Sequence, residues 1–150
     1  MGGWLPASRI DRTIDKGIAD LLSFAYDYAW RFSDDPRTKN GAVLAKRSGA
    51  YFDILSFGAN QFPPGTRVTQ ELLHNHEEKL ANIIHAEDNC LRWAVGVPTS
   101  GLMMVSPWAP CYDCAVRIVD AGLEALYVHA QALMRTPPDW RSSIERGVEH

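Results

Sequence analysis

His85-Ala86-Glu87-Asp88-Asn89-Cys90-Leu91 and Pro110-Cys111-Tyr112-Asp113-Cys114 are the stretches on which the reading of this chain turns. Together they offer three metal ligands and one carboxylate that need not bind metal. Cys111 and Cys114 stand three apart, which on a helix points both thiols to one side. Alone, a Cys-x-x-Cys pair is a weak signal that fits a redox pair or half of a structural zinc site. A structural site asks for a fourth protein ligand, whereas a catalytic one holds three and keeps a place for water. His85 is the expected third ligand, and one imidazole with two thiolates leaves a divalent ion neutral.

The carboxylate sets a geometric condition. In mid-helix, a spacing of two would turn His85 and Glu87 about 200° apart. They can flank one water only where the chain enters a helix, and the apolar run restarting after Asn82 supports an entry there. Zinc lowers the pKa of its water, and a neighbouring Glu87 can move the proton to a ring nitrogen and then to a departing amine. The four residues therefore point to hydrolytic removal of an amino group from a nucleobase. For cytosine the attack falls on C4 and yields uracil and ammonia.

Outward from these strings the chain alternates helical and strand patterns. Residues 14–32 place Ile18, Leu21, Leu22, Ala25 and Ala29 at helical spacing, and Ser33-Asp34-Asp35-Pro36 should stop that helix. Residues 41–46 and 51–59 read as two strands around a turn at Arg47-Ser48-Gly49. Residues 61–65, with Pro63 and Pro64, form a rigid loop. The polar residues 67–82 read as a loop leading into a helical turn. A helix is expected over 85–94, a buried strand over 101–105, a helix from Cys111 to Gly122, and a strand over 124–129. This order implies a layered α/β core in one domain, 1–150. Residues 141–150 are expected to start a last helix that is short, frayed, or packed on a neighbouring subunit.

Composition narrows the function classes. Hydrophobic residues make up 46% and charged residues 22%, an ordinary globular balance. Lys and Arg total 15 against 18 Asp and Glu, a net charge of -3, with no basic tail or stripe. A polymeric nucleic acid is therefore not expected as partner. A single nucleotide is compatible, because one phosphate needs only a cation or two or a helix N-terminus. No stretch nears the roughly 20 apolar residues of a membrane helix. Residues 1–7 lack the charged start and hydrophobic core of a signal peptide. The three cysteines suit a reducing compartment, and cytoplasm is the expected location.

His-Ala-Glu and Pro-Cys-Tyr-Asp-Cys resemble the zinc-dependent cytidine and deoxycytidylate deaminase superfamily, whose pattern is His-x-Glu with Pro-Cys-x-x-Cys. Within it the chain is most similar to the dCMP deaminases. The stretch from Asp35 to Val43, the loop from Gly58 to Gly65 and the run from His85 to Leu91 each resemble theirs. The likeness extends over about residues 24–129. It implies a three-layer α/β/α cytidine-deaminase-like fold with a central mixed sheet of about five strands. It also implies one catalytic Zn2+ per subunit and a homo-oligomer. The expected activity is conversion of dCMP to dUMP and ammonia by zinc-activated hydroxide. Deamination of free (deoxy)cytidine or another nucleobase compound, or a non-catalytic zinc-containing nucleotide-binding protein, are the alternatives.

The resemblance assigns His85, Cys111 and Cys114 to metal and Glu87 to proton transfer. It assigns Asn60 to sugar or base, and the Ala86 N–H to the pyrimidine carbonyl. Arg37, Lys39 and Arg67 are phosphate candidates, and Trp108, three before a ligand, is expected to border the pocket. Asn40, Ala59 and the bulky Pro107-Trp108-Ala109 depart from the best-known members. His74 and His76 lack a cysteine pair and are expected to be ordinary surface histidines, and Cys90 to pack inward. Trp4, Trp30, Trp93 and Trp140 are expected only to pack. The region linked to nucleotide regulation in larger members is partly missing at His150, so allosteric control is not carried over.

Overall fold

The computed structural model describes residues 15–149; Ile14, Trp4, His150 and residues 1–7 lie outside them. Four strands, β1 Gly41–Ser48, β2 Tyr51–Ala59, β3 Met103–Ser106 and β4 Ala125–Val128, form one sheet in the order β2-β1-β3-β4. β1 pairs antiparallel with β2 and β3, while β3 and β4 run parallel. The sheet is mixed, as expected, with four strands among the described residues rather than about five.

The first five residues of β1, 41–45, are apolar without a break because both of their faces are covered, and the last three are polar and exposed. Ala42 and Leu44 join Met104 in a core with Ala86 and Cys90 of α4 (Ala86–Trp93) and Ile118 of α5 (Tyr112–Asp120). Val43 and Ala45 turn the other way, with Met103 and Val105, onto Ile18, Leu21 and Ala25 of α1 (Lys16–Phe32). Helices on both faces give the three layers. Asp15 starts α1 by accepting the Ile18 N–H at 3.1 Å, and Ser33 ends it where the sequence placed the stop. β1 runs on to Ser48, so the turn tightens to Gly49-Ala50, with Gly49 at φ 61°.

α4 lies directly on β2. A side chain at Gly58 would collide with the backbone of Ala86, Asn89 and Cys90. The Ser56 hydroxyl donates to the Cys90 carbonyl at 2.7 Å, and Asn89 Nδ2 donates to the Ala59 carbonyl at 2.8 Å. Gln61 and Ile84 exchange backbone hydrogen bonds just before His85. These contacts set where α4 begins.

Three segments differ from expectation. Residues 67–82 form two short helices, α2 Gln70–His74 and α3 His76–Asn82, rather than a loop and one turn. Thr69 and Asn75 start them by accepting the N–H groups of Leu72 and Glu78, and their polar character follows from mostly exposed faces. A short helix, α6 Ala130–Met134, follows β4. The last helix, α7 Pro138–Glu149, starts earlier than expected and packs on α5 of its own chain. Ser143 Oγ accepts the Tyr112 N–H at 2.9 Å, and Ile144 joins Leu133 and Ala109 in a small third core. No helix among the described residues is long and apolar enough to cross a membrane.

Candidate active site

His85 meets the condition set by the sequence. It is the residue before α4, with extended φ -69° and ψ 156°, so Glu87 sits in the first turn and His85 outside it. The non-helical step at His85 removes the angular separation that a continuous helix would impose. Glu87 is 3% exposed, and its Oε1 accepts from Asn40 Nδ2 at 3.3 Å. Asn40, the residue before β1, is itself buried, and its Oδ1 accepts from the Ser106 hydroxyl at 3.4 Å. That second bond leaves the amide nitrogen to face Glu87. Asn40 stood out in the sequence only as an unusual residue; its burial beside Glu87 needed the sheet.

Cys111 precedes α5 and Cys114 lies in its first turn. The two sulfurs are 3.4 and 3.6 Å from His85 Nδ1, and all three donor atoms lie within 4.8 Å of one another. Zinc bonds of about 2.3 Å to sulfur and 2.0 Å to nitrogen, opened to a tetrahedral angle, separate such donors by about 3.5 Å. Both sulfur–nitrogen spacings therefore match those of a zinc site. No other such group of His, Cys, Asp and Glu gathers among the described residues. His74 instead places Nδ1 2.6 Å from the Gln70 carbonyl oxygen.

His85, Cys111 and Glu87 border a cavity of about 570 Å³, within the roughly 300–1,000 Å³ of small-molecule sites. Asn60, Trp108, Arg37 and Lys39 border it too. Asn60 accepts the Ala86 N–H through Oδ1 at 2.8 Å and donates through Nδ2 to the Thr38 carbonyl at 3.0 Å. Half of its amide hydrogen-bonding capacity remains. Lys39 Nζ rests 5.4 Å from the ring centre of Trp30, which also borders the cavity. The Ala86 N–H is placed otherwise than expected. It is committed to Asn60, because the first amide of α4 needs an acceptor, and fully buried Ala86 is not part of the cavity wall.

Arg67 also stands apart from the cavity wall, whereas Arg135, Tyr26 and Trp140 belong to it. The Trp140 ring is centred 6.1 Å from that of His85, so it does more than pack at a distance. Tyr26 Oη lies 2.6 Å from His129 Nδ1. Aromatic and cationic residue types were the available signal, but their placement depends on how α6 and α7 fold back.

The model of the cytidine and deoxycytidylate deaminase zinc-binding region matches residues 16–130. The chain belongs to that family. Its zinc-binding deaminase domain is similar to an uncharacterized deaminase from the luxG 3' region of Aliivibrio fischeri, 30% identical over 100 residues. The match spans 67% of this chain and 64% of that relative's length. In fold it is similar to dCMP deaminase of the cyanophage S-TIM5 in apo form, with TM-score 0.62 and 22% identity over 82% of this chain and 94% of that one. The complex of the cyanophage enzyme with dCMP and dUMP gives TM-score 0.63 and 23% identity over 78% and 83%. A diaminohydroxyphosphoribosylaminopyrimidine deaminase/5-amino-6-(5-phosphoribosylamino)uracil reductase from Thermotoga maritima gives TM-score 0.53 and 17% identity over 75% and 29%.

Electrostatics of the deaminase site follow from its burial. In the metal-free domain the hydrogen bond with Cys111 holds the His85 pKa up to about 8. The hydrogen bond from Cys114, joined by that from His85, lowers Cys111 to about 4. Cys114 is raised, first because it donates to Cys111 and then because it is buried. Burial also raises Glu87, partly opposed by His85, and pushes the inward-packed Cys90 up to about 12. At pH 7 the apo triad thus carries one thiolate and two protons, both of which zinc must displace. Calorimetric titration with zinc in buffers of different ionisation enthalpy should show release of about two protons at pH 7. A release near zero contradicts this protonation pattern.

Proposed function

We propose that this chain is a hydrolytic deaminase acting on dCMP to give dUMP and ammonia. The observation that carries this reading is the make-up of one cavity, bordered both by His85, Cys111 and buried Glu87 and by Arg37, Lys39 and Arg135. When bound, zinc supplies a Lewis acid that lowers the pKa of a water. Glu87 takes the proton of the water that attacks C4, passes it to the ring nitrogen, and then helps protonate the departing amine. The raised proton affinity of Glu87 suits a group that must both accept and release a proton. Trp108 and Trp140 offer flat apolar surfaces to a pyrimidine. Asn60 has a donor and an acceptor left for sugar or base, and the three cations suit one phosphate. The S-TIM5 complex with dCMP and dUMP directs the choice toward this pair.

The chain is proposed to act as a homo-oligomer in the cytoplasm. Phe24, Ile54 and Phe57 lie exposed on α1 and β2, and all three cysteines are free. The deciding assay is a panel of dCMP, dCTP, deoxycytidine, cytosine and guanine. The kcat/KM for dCMP should exceed that for deoxycytidine by at least about tenfold, roughly 1.4 kcal/mol. Equal values remove phosphate selection and leave a nucleoside deaminase. A zinc-loaded chain that turns over none of the panel is a nucleotide-binding protein instead.

A further inference from the structure

The segment that brings Arg37, Lys39 and Asn40 to the cavity is organised around a single carboxylate oxygen. Asp35 Oδ1 accepts the Arg37 N–H at 2.9 Å, the Thr38 N–H at 3.2 Å and Lys79 Nζ at 3.1 Å. The two side chains of this ion pair are only 4% and 2% exposed. Lys79 is the one buried residue of α3, a mostly exposed helix whose half-buried Leu80 borders the cavity. Lys79 itself does not border the cavity, whereas Asp35 does. Beyond Asp35 the bonds continue inward. The Thr38 carbonyl accepts from Asn60, Asn60 accepts from the first amide of α4, and Asn40 donates to Glu87.

We infer that Lys79 is a positioning residue: its buried ion pair with Asp35 holds residues 35–40 in the conformation that presents Arg37 and Lys39 to the substrate. A buried ion pair is a poor device for stability alone, because desolvating both charges offsets most of their attraction. Losing one member leaves the other charged and unpaired, so the geometry is tightly enforced. Here the enforced geometry is that of a cavity wall. The sequence separation of 44 residues between the partners couples α3 to that wall. The catalytic part of this inference rests on the proposed nucleotide reading, and the structural part does not.

The test compares Lys79→Met, Asp35→Asn and the double variant with the unaltered chain. Amide hydrogen exchange at Arg37 and Thr38 is measured together with zinc content and steady-state kinetics on dCMP. Lys79→Met should speed exchange at these two amides by at least about tenfold while α5 stays protected. It should raise KM for dCMP about tenfold or more with kcat changed less than about threefold, and keep one zinc. The double variant removes both charges but keeps an amide oxygen for the two N–H groups, so it should recover protection and KM relative to either single change. If the single variants unfold, recovery in the double variant supports the same assignment. Unchanged exchange in Lys79→Met, or a double variant no better than the singles, overturns it. If the unaltered chain turns over no nucleotide, the substrate reading fails while amide exchange still decides the role of Lys79.

Discussion

Replacing Glu87 with Ala is expected to abolish ammonia release from dCMP while leaving one zinc per chain. Loss of a general acid–base contributes about 10²–10⁴-fold by itself, and in the proposed mechanism the same carboxylate serves each proton transfer. Zinc stays because the three donors that fit it come from His85, Cys111 and Cys114. Glu87→Gln should behave alike and melt no lower than the parent at pH 7. Burial raises the Glu87 pKa in the folded state, so the stabilising contribution of its protonated form is present at low pH and lost as pH rises. Glutamine removes that loss. Rates within about tenfold of the parent, or loss of zinc from the Ala variant, would contradict the role given to this residue.

The second large effect is on assembly of the site. Gly58→Ala puts a methyl group into the backbone of α4 at Ala86 and Cys90, where no side chain can rotate away. Either β2 or the start of α4 must shift. The expected cost is about 3 kcal/mol, the upper part of the usual overpacking range, or a drop of about 6–12 °C in Tm for a chain of this size. Because His85 and Glu87 sit at that end of α4, zinc affinity should fall as well. Calorimetric melting and zinc titration check both. A variant that melts with the parent and binds zinc equally well shows that α4 can stand off β2.

The difference between what could and could not be read from the sequence is physical. Residues 41–46 read as a strand, but that residues 41–45 are covered on both faces follows only from the sheet order, which puts β1 between β2 and β3. His85 and Glu87 could be placed together only conditionally, since the spacing works at a helix entry and fails in mid-helix; ψ of 156° at His85 satisfies the condition. The metal triad was legible from residue type and spacing. Trp140 was not, because helical periodicity identifies an apolar face without saying which surface it meets. Arg135 follows a short helix that the pattern did not signal. Lys79 lies in the polar stretch 67–82 that read as a loop leading into a helical turn, and only its contact with Asp35, 44 positions earlier, makes it interior. The resemblance gives the Ala86 amide to the substrate, and its bond to Asn60, 26 positions earlier, has no local signal in the sequence.

X-ray absorption at the zinc edge of the purified chain tests the central claim most directly. The expected spectrum has two sulfurs at about 2.3 Å and two nitrogen or oxygen atoms near 2.0 Å, one from His85 and one exchangeable. It should be unchanged in shell count for Glu87→Ala and lose a sulfur in Cys114→Ser. A shell of three or four sulfurs, or a fourth position that added ligands cannot enter, would mean a closed structural site.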